Sequence, residues 1–399
     1  MPISSVKSKN AVLATDNKQL QYRAVKRKLL LTDEQANKID QFLGCMRLVY
    51  NDLLAIRKIH YTKTGKQLSG SEYKITRLKD LKIMKPFLTD ADKFIFDDVI
   101  IRQDAAFDRF FKHLGSFPKF KSKKNSYQSY TTYQTNNNIK LTDGGIKIPK
   151  IGVLSFSGDS SYLEQVKNGT ASIKKATISR DGDCYYISII IEQIVPLAKE
   201  LKIQDIDNSK IIGIDVGIKA QVSCSNGFVE TLPRTLKLLD KRMHRKQRSL
   251  SRKTKNSKNY KKAKNIVNKA HKKISNTRKD FNHKLSKKII SENQAIFVED
   301  LAIKNMVKNH KLAKAISNCG WSQLFSFLEY KAKQEGKIFH KINRFYASSQ
   351  TCSCCGYVNS LLKDLKVRNW VCPSCGIHHN RDINAAINIK NRGITELSA

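Results

Sequence analysis

Three carboxylates of the sequence are placed so that folding could bring them together as a metal-binding site. Asp215 ends the apolar run 211–214, Glu299 ends the apolar run 295–298, and Asp382 begins a final segment of helical periodicity. Hydrolysis of a phosphodiester requires the attacking water and the leaving oxygen both to be stabilised, which two divalent ions about 3.5–4 Å apart can do. Mg²⁺ prefers hard oxygen ligands. We therefore expect Asp215, Glu299 and Asp382 to be catalytic and to bind Mg²⁺ or Mn²⁺.

Each carboxylate also has an ordinary structural interpretation. Asp215 could be a turn residue or a helix cap, Glu299 could cap a strand end, and Asp382 could be the N-cap of the last helix. Their order along the chain, however, is a strand, a hairpin, a second strand and a helix. That order is the one expected of a ribonuclease-H-like α/β domain, and it favours the catalytic interpretation.

Two cysteine pairs lie between the second and third carboxylates. Cys352-x-x-Cys355 and Cys372-x-x-Cys375 are separated by sixteen residues, and each pair is followed by glycine. This spacing is typical of a four-cysteine zinc ribbon, and four thiolates leave no open position on a tetrahedral ion. The pattern predicts a structural Zn²⁺ rather than the catalytic metal, with disulfides as the alternative.

Three neighbouring residues are not expected to be zinc ligands. Cys354 would make a cramped knuckle with Cys352, and His378 and His379 are superfluous beside four thiolates. The four remaining cysteines are scattered singly, as buried core thiols are. An odd total of nine cysteines without an export signal indicates a reducing compartment.

Different patterns mark the elements that precede the first carboxylate. Thr32 and Gln35 form a capping box that should begin a helix, and a second helix fits 96–111, so a helical unit follows a strand near 22–31. Residues 115–205 alternate like strands, and 180–183 has the composition of a hairpin turn. We interpret 115–205 as a β-rich domain, forming a small barrel.

A strongly basic tract separates the first two carboxylates. Residues 241–288 contain twenty Lys and Arg and one acid, Asp280, and no proline interrupts them. Weak helical periodicity predicts a long basic helical pair. Such a tract can be a solvated face or a nuclear-localisation signal, but its length and position favour binding to a nucleic-acid backbone.

The charge of the whole chain supports a polyanionic partner. Lys and Arg number 74 against 34 Asp and Glu, a formal net charge of +40. Nucleic acid is the expected partner. An anionic membrane is the rival, yet no apolar run is long enough to span a bilayer. The first twenty residues lack the apolar core of a secretory signal, which predicts a cytoplasmic protein.

Combined motifs give the chain a family resemblance that extends from about Tyr22 to the C-terminus. The motifs are DEQ at 33–35, RLVYN at 47–51, FPKFK at 117–121, GIDVG at 213–217, VEDL at 298–301, SSQTCSCCG at 348–356, CPSCG at 372–376 and RDINAA at 381–386. The chain thereby resembles the TnpB (OrfB) family of transposon-encoded proteins, which are relatives of the type V CRISPR effectors.

The resemblance implies an α+β multidomain architecture, in which a wedge β-barrel carries an inserted helical recognition domain and a ribonuclease-H-like (RuvC) domain follows. The implied segments are 1–31 and 115–205 for the barrel, 32–114 for the recognition domain, and 206–399 for the RuvC domain, with a basic helical insertion at 237–290 and a zinc ribbon at 348–379.

The resemblance also implies an RNA-guided DNA endonuclease. Its partners would be a guide RNA from the transposon end and double-stranded target DNA, with one RNA on a monomer and a nucleoid location in a prokaryote. Base pairing would carry most of the specificity. Asp215, Glu299 and Asp382 match the family's metal-binding carboxylates, whereas Asn380 stands where many relatives have Asp.

Two other functions stay open at this level. One is a nuclease-independent DNA-binding accessory or regulator of transposition, against which the three intact carboxylates count. The other is an unguided structure-specific nuclease, which a co-purifying RNA of defined sequence would distinguish.

Overall fold

The structure is a computed structural model that describes residues 3–125, 127–158, 161–199, 201–364 and 366–398. The chain forms two compact units, Met1–Leu197 and Ala198–Ala399. The division lies before the boundary at 205/206 that the sequence predicted. The reason is local packing, because the Leu201 amide donates to the Gly336 carbonyl and Ile203 joins an apolar cluster of the second unit.

A seven-stranded antiparallel sheet organises the first unit, in the order β2-β6-β7-β1-β5-β4-β3. The strands are β1 (Lys18–Leu30), β2 (Tyr127–Tyr133), β3 (Lys140–Thr142), β4 (Gly145–Ile148), β5 (Gly152–Phe156), β6 (Ala171–Asp181) and β7 (Cys184–Pro196). The predicted hairpin is the β6–β7 pair, and Gly182 in its turn has φ 62°. Closure of the sheet into a barrel stays a prediction.

Helices inserted between β1 and β2 pack on this sheet. The helices of the unit are α1 (Ile3–Ala14), α2 (Asp33–Thr64), α3 (Gly70–Ile75), α4 (Arg77–Met84), α5 (Phe94–Phe111) and α6 (Ser161–Lys167). The capping box of Thr32 and Gln35 at the start of α2 is present as predicted. Phe42 of α2 meets Tyr130 of β2 edge to face, with ring centroids 6.0 Å apart. Helices and sheet therefore share one apolar core.

The second unit is built on a five-stranded mixed sheet, in the order β10-β9-β8-β11-β12. The strands are β8 (Ile211–Asp215), β9 (Val222–Cys224), β10 (Val229–Glu230), β11 (Ala295–Glu299) and β12 (Ile338–Ile342). The first three in chain order are antiparallel neighbours, and β11 runs parallel to both β8 and β12. The central strands β8 and β11 thus end at the same edge of the sheet.

Helices cover this sheet, and a separate two-stranded hairpin lies in the cysteine-rich segment. The helices are α7 (Arg234–Ser251), α8 (Lys258–Glu292), α9 (Ile303–Met306), α10 (Ala313–Cys319), α11 (Trp321–Gln334) and α12 (Arg381–Ser398), and the hairpin pairs β13 (Asn369–Val371) with β14 (His378–Asn380). The predicted basic helical pair is α7 and α8. Within the described residues, no helix has the length and apolar character needed to cross a membrane.

Helix α12 crosses β8 at very close range, and Gly213 makes this possible. A Cβ atom at position 213 would lie 2.1 Å from the Ala386 carbonyl oxygen and 2.5 Å from the Lys390 amide nitrogen. Glycine is required here for its size, because both contacts are to backbone atoms. The close crossing fixes the height of α12 above the central strand, and with it the position of Asp382 in the first turn.

We expect Gly213→Ala to destabilise the second unit by about 3 kcal/mol or more, because overpacking against rigid backbone forces the helix away from the strand. Thermal unfolding of the purified chain measures the effect. Gly44→Ala is the control, since its new Cβ would meet only the Arg47 guanidinium at 3.6 Å. Equal melting temperatures for the two variants would contradict the packing argument.

Candidate active site and metal centre

Two of the predicted catalytic carboxylates lie side by side at the end of the central strands. Asp215 ends β8 and Glu299 ends β11. The last pair in the parallel register is Val298 with Ile214. Asp215 and Glu299 are the next residue on each strand, so they lie at neighbouring positions. Buried apolar residues on both strands hold this backbone in place.

The third carboxylate, Asp382, comes from the first turn of α12. Its side chain is half-buried and is bound by Arg368, whose Nη1 lies 2.7 Å from Oδ1 and 2.9 Å from Oδ2. Arg368 immediately precedes β13, and it was not singled out from the sequence as a site residue. The contact could not be foreseen, because it depends on how the cysteine-rich segment docks on α12.

The electrostatics of Asp215 reflect its neighbours. Burial raises the pKa of Asp215 well above its usual range, and the nearby carboxylates of Glu299 and Asp382 raise it further. Burial also raises the pKa of Glu299, against the opposing effect of a hydrogen bond from the Ser348 hydroxyl. Clustered carboxylates of this kind repel one another, and a divalent cation relieves the repulsion.

The three carboxylates are nevertheless less tightly gathered than the cysteines. Some clusters of three or more Asp, Glu, Cys or His residues have all their ligand atoms within 4.8 Å of one another. Among the described residues, such clusters consist of cysteine and histidine and include none of the three carboxylates. Asp382 instead pairs with Arg368, and one oxygen of Glu299 is bound by Ser348. The donor set suits Mg²⁺ or Mn²⁺, which take carboxylate oxygens and retain water ligands.

An open cleft begins at Glu299. It has a volume of about 510 Å³ and mixed charge, and its lining includes Asp300, Lys304, Glu329 and Lys341. Asp300, one of these lining residues, forms an ion pair with Arg344. The cleft therefore gives a ligand access to the second carboxylate from the surface.

The four predicted zinc ligands come together. The Sγ atoms of Cys352 and Cys375 are 3.7 Å apart, those of Cys355 and Cys372 are 3.6 Å apart, and all four lie within 4.8 Å of one another. A hydrogen bond from the Tyr357 amide, together with contacts to the other three thiols, lowers the pKa of the Cys355 thiol to about 6, and the contacts among the thiols raise that of Cys375. Because the thiolate is the form that binds metal, the cluster fits a structural zinc site.

The two knuckles share one backbone geometry. In each, the first cysteine donates its amide to a carbonyl five residues on and accepts, through its own carbonyl, the amide of the glycine four residues on. Gly356 and Gly376 have φ of 77° and 72°, with open space around the Cβ position. The role of these glycines is thus conformational: each adopts a left-handed backbone that other residues rarely take.

His379, which was not expected to be a zinc ligand, lies against the cysteine cluster. His379 is buried, its Nε2 atom is 3.1 Å from Cys352 Sγ, and its ring packs on Trp370 with centroids 4.8 Å apart. Cys352, Cys354 and His379 form a second close group. Four thiolates still make the more complete tetrahedral set, and His379 is placed to hydrogen-bond the Cys352 sulfur.

The N-terminus of α12 is capped by Asn380 rather than by Asp382. The Asn380 Oδ1 atom accepts the amides of Asp382 at 3.1 Å and Ile383 at 3.2 Å. This arrangement corrects the alternative in which Asp382 is the N-cap, and it leaves that carboxylate free for other contacts. It also gives a structural role to Asn380, which stands where many relatives have Asp, since asparagine is among the best capping residues.

The basic helices α7 and α8 present their charge to solvent. Exposed lysines and arginines run along both, whereas apolar residues such as Met243 and Val267 are buried. Asp280, the single acid of the tract, pairs with Lys284. Most of this charge is therefore available to an anionic partner.

Family models match three parts of the chain. Residues 321–389 match a "Cas12f1-like, TNB domain", residues 194–310 match a "Probable transposase" of the OrfB type, and residues 21–66 match a "Helix-turn-helix domain" found in the same proteins. In this structure, residues 21–66 contain most of β1 and the single continuous helix α2 rather than two helices.

Relatives along nearly the whole chain define the class. A Streptomyces pristinaespiralis protein named for RNA-guided DNA endonuclease activity is 34% identical over 375 residues, covering 93% of this chain and 89% of the relative. The Escherichia coli (strain K12) protein InsQ, with the same activity in its name, is 26% identical over 379 residues, covering 90% of this chain and 89% of its own length. The chain belongs to the TnpB (OrfB) family.

One solved structure shares the fold. The Cas12f1 chain of a complex with a single-guide RNA and target DNA superposes with a TM-score of 0.58 at 17% identity, covering 91% of this chain and 84% of that chain. The mixed α/β architecture is therefore shared with this Cas12f1 chain and is consistent with membership of the TnpB family.

Proposed function

We propose that this protein is a transposon-associated, RNA-guided DNA endonuclease. The proposal rests on Asp215 and Glu299 at the ends of the neighbouring parallel strands β8 and β11, and on Asp382 in the first turn of α12, which packs on β8 at Gly213, in a chain that belongs to this family. The sheet supports a ribonuclease-H-like (RuvC) assignment, because it combines three antiparallel strands with two parallel ones around β8. The carboxylates at the ends of the central strands are then the catalytic residues.

Divalent cations would be held by these three side chains and would activate the attacking water and stabilise the leaving oxygen. The chain's own residues prepare this site. Asp215 and Glu299 are fixed by buried strands, and Asp382 by the contact of α12 with Gly213. Arg368, bound to Asp382, places a positive charge beside the site.

The remaining parts of the chain have corresponding proposed roles. The sheet of the first unit would be the wedge barrel, and the helices inserted after β1 would be the recognition domain. The cysteine cluster would hold a structural Zn²⁺. One guide RNA would bind each chain, and helices α7 and α8 would contact nucleic-acid phosphates.

The deciding experiment is to express the chain with its native locus, sequence the RNA that co-purifies, and incubate the complex with matched and mismatched DNA in Mg²⁺. Cleavage of matched DNA only is the expected result. Guided binding without cleavage would favour a DNA-binding regulator, and cleavage independent of RNA would favour a structure-specific nuclease.

Binding should depend steeply on salt. If the exposed charge of α7 and α8 neutralises six or more phosphates, affinity for nonspecific duplex DNA should fall about 10³-fold or more between 50 and 200 mM salt. Fluorescence anisotropy over a salt series measures the slope, and a flat response would contradict the proposed role of these helices.

Two matched double variants test whether α8 contributes to the slope of log affinity against log salt concentration. Replacing Lys261 and Lys262, both exposed, with Gln should reduce the slope by up to about 2, because each phosphate contact contributes close to one. Replacing Lys74 and Lys167, which already have carboxylate partners, should change it less. Equal effects would show that the charge acts through the whole protein.

A further inference from the structure

Ser348 lies at the point where the cysteine-rich segment meets the second carboxylate. It is buried, and its hydroxyl donates to Glu299 Oε1. A carboxylate with one oxygen held in this way has a fixed side-chain orientation and keeps its other oxygen for a cation. A glutamate without such a partner rotates about three bonds and loses that freedom when it binds a metal.

Ser348 is itself held by helix α12. The Asn388 side-chain amide donates to the Ser348 carbonyl at 2.8 Å and to the Thr351 carbonyl at 2.6 Å. Asn388 is 3% exposed. Buried amides are retained where their hydrogen bonds are made, because an unsatisfied amide in the interior is costly.

One turn earlier on the same face, Asn384 makes the same kind of contact with the first cysteine knuckle. Its amide donates to the Thr351 carbonyl at 2.7 Å, and its Oδ1 accepts the Ser353 amide at 2.9 Å. These two bonds bracket the ligand Cys352. Residues four apart lie on one face of a helix, so Asn384 and Asn388 form a buried amide pair that binds 348–353 as a unit.

We propose that Ser348 is a positioning residue for Glu299, and that Asn384 and Asn388 transmit the position of the cysteine knuckle and of α12 to this carboxylate through it. Helix α12, which supplies Asp382 in its first turn, thereby also sets the orientation of Glu299. The inference rests on the proposed nuclease function, since it assigns Glu299 to the metal site.

The test uses the protein–guide RNA complex with Mn²⁺ as the probe. Ser348→Ala should raise the Mn²⁺ concentration for half-maximal cleavage about 10-fold or more, as is typical when a hydrogen bond to a metal ligand is removed. Mn²⁺ binding, followed by electron paramagnetic resonance, should weaken by a similar factor. Asp215→Ala supplies the background from Mn²⁺ bound to RNA.

Two controls separate positioning from a general structural role. Ser348→Thr keeps the hydroxyl and should restore the Mn²⁺ dependence, and Ser349→Ala should leave it unchanged. Because Asn388 acts through Ser348, combining Asn388→Ala with Ser348→Ala should add little to the effect of Ser348→Ala. Melting temperature and zinc content are measured for each variant.

The outcomes are distinguishable. Wild-type Mn²⁺ binding and half-saturation in Ser348→Ala would overturn the inference, whatever Asn388→Ala does to folding. If the wild-type complex does not cut matched DNA, the proposed function fails instead, and Mn²⁺ binding still decides whether Ser348 orients Glu299.

Discussion

Replacing Asp215 with alanine is expected to lower the rate of guided DNA cleavage about 10³-fold or more, equivalent to at least about 4 kcal/mol of transition-state stabilisation. Burial and the charges of both Glu299 and Asp382 raise the pKa of Asp215, so this carboxylate lies near the two others. Its loss removes a ligand that the two other carboxylates cannot replace. Guided binding to the same DNA should persist, because base pairing and phosphate contacts do not involve this side chain.

Cleavage is measured on matched duplex DNA with the purified complex, and binding on the same DNA without divalent metal. Asp215→Asn, which keeps the volume of the half-buried side chain, guards against a folding defect. Asp205→Ala removes an exposed charge from the same unit and should cleave at the wild-type rate. Cleavage by Asp215→Asn within tenfold of wild type would exclude this carboxylate as a metal ligand.

Local chemistry made several features predictable. The capping box of Thr32 and Gln35, the β6–β7 hairpin and the two glycine-ended knuckles are each determined by residues a few positions apart. The order of the carboxylates along the chain was also sufficient to expect them at the ends of strands and a helix. Such features depend on backbone preferences that neighbouring residues set by themselves.

Features that depend on docking between distant segments were missed. Strand β12 contains His340 and Lys341 and is only partly buried at a sheet edge, so it lacks a strong apolar pattern. Helix α1 was not predicted, because 1–31 was assigned to the barrel. The contacts of Arg368 with Asp382 and of Ser348 with Glu299 join residues 14 and 49 positions apart. Side chains at those separations meet only after the cysteine-rich segment has packed on α12.

That packing leads to the second large expected effect. Cys372→Ser should remove the zinc, and without it the ribbon loses much of the free energy that folds so small a module. Cys372 is 1% exposed and lies in the ribbon core with Trp370 and Leu362. Zinc content, measured by atomic emission, should fall well below one per chain, and the ribbon should become sensitive to protease.

Unfolding of the ribbon in Cys372→Ser should also disturb the active site. The Arg381 amide donates to the Arg368 carbonyl at 2.8 Å, and the Arg381 guanidinium donates to the Asp364 carbonyl at 3.0 Å. An unfolded ribbon would release these contacts together with the Arg368–Asp382 pair. We therefore expect guided cleavage by Cys372→Ser to fall about 10-fold or more, although no ribbon cysteine touches a catalytic carboxylate by this assignment.

Cys354→Ser is the matched control, because Cys354 is exposed and belongs to the alternative group with Cys352 and His379. If the four-thiolate set is correct, Cys354→Ser keeps its zinc and its activity. If Cys354→Ser loses zinc while Cys372→Ser retains it, the metal is held by the alternative group instead. A Cys372→Ser protein that loses zinc yet cuts at the wild-type rate would show that the active site does not depend on the zinc-bound ribbon. In that case the hydrogen bonds between residues 348–353 and α12 would persist without the metal.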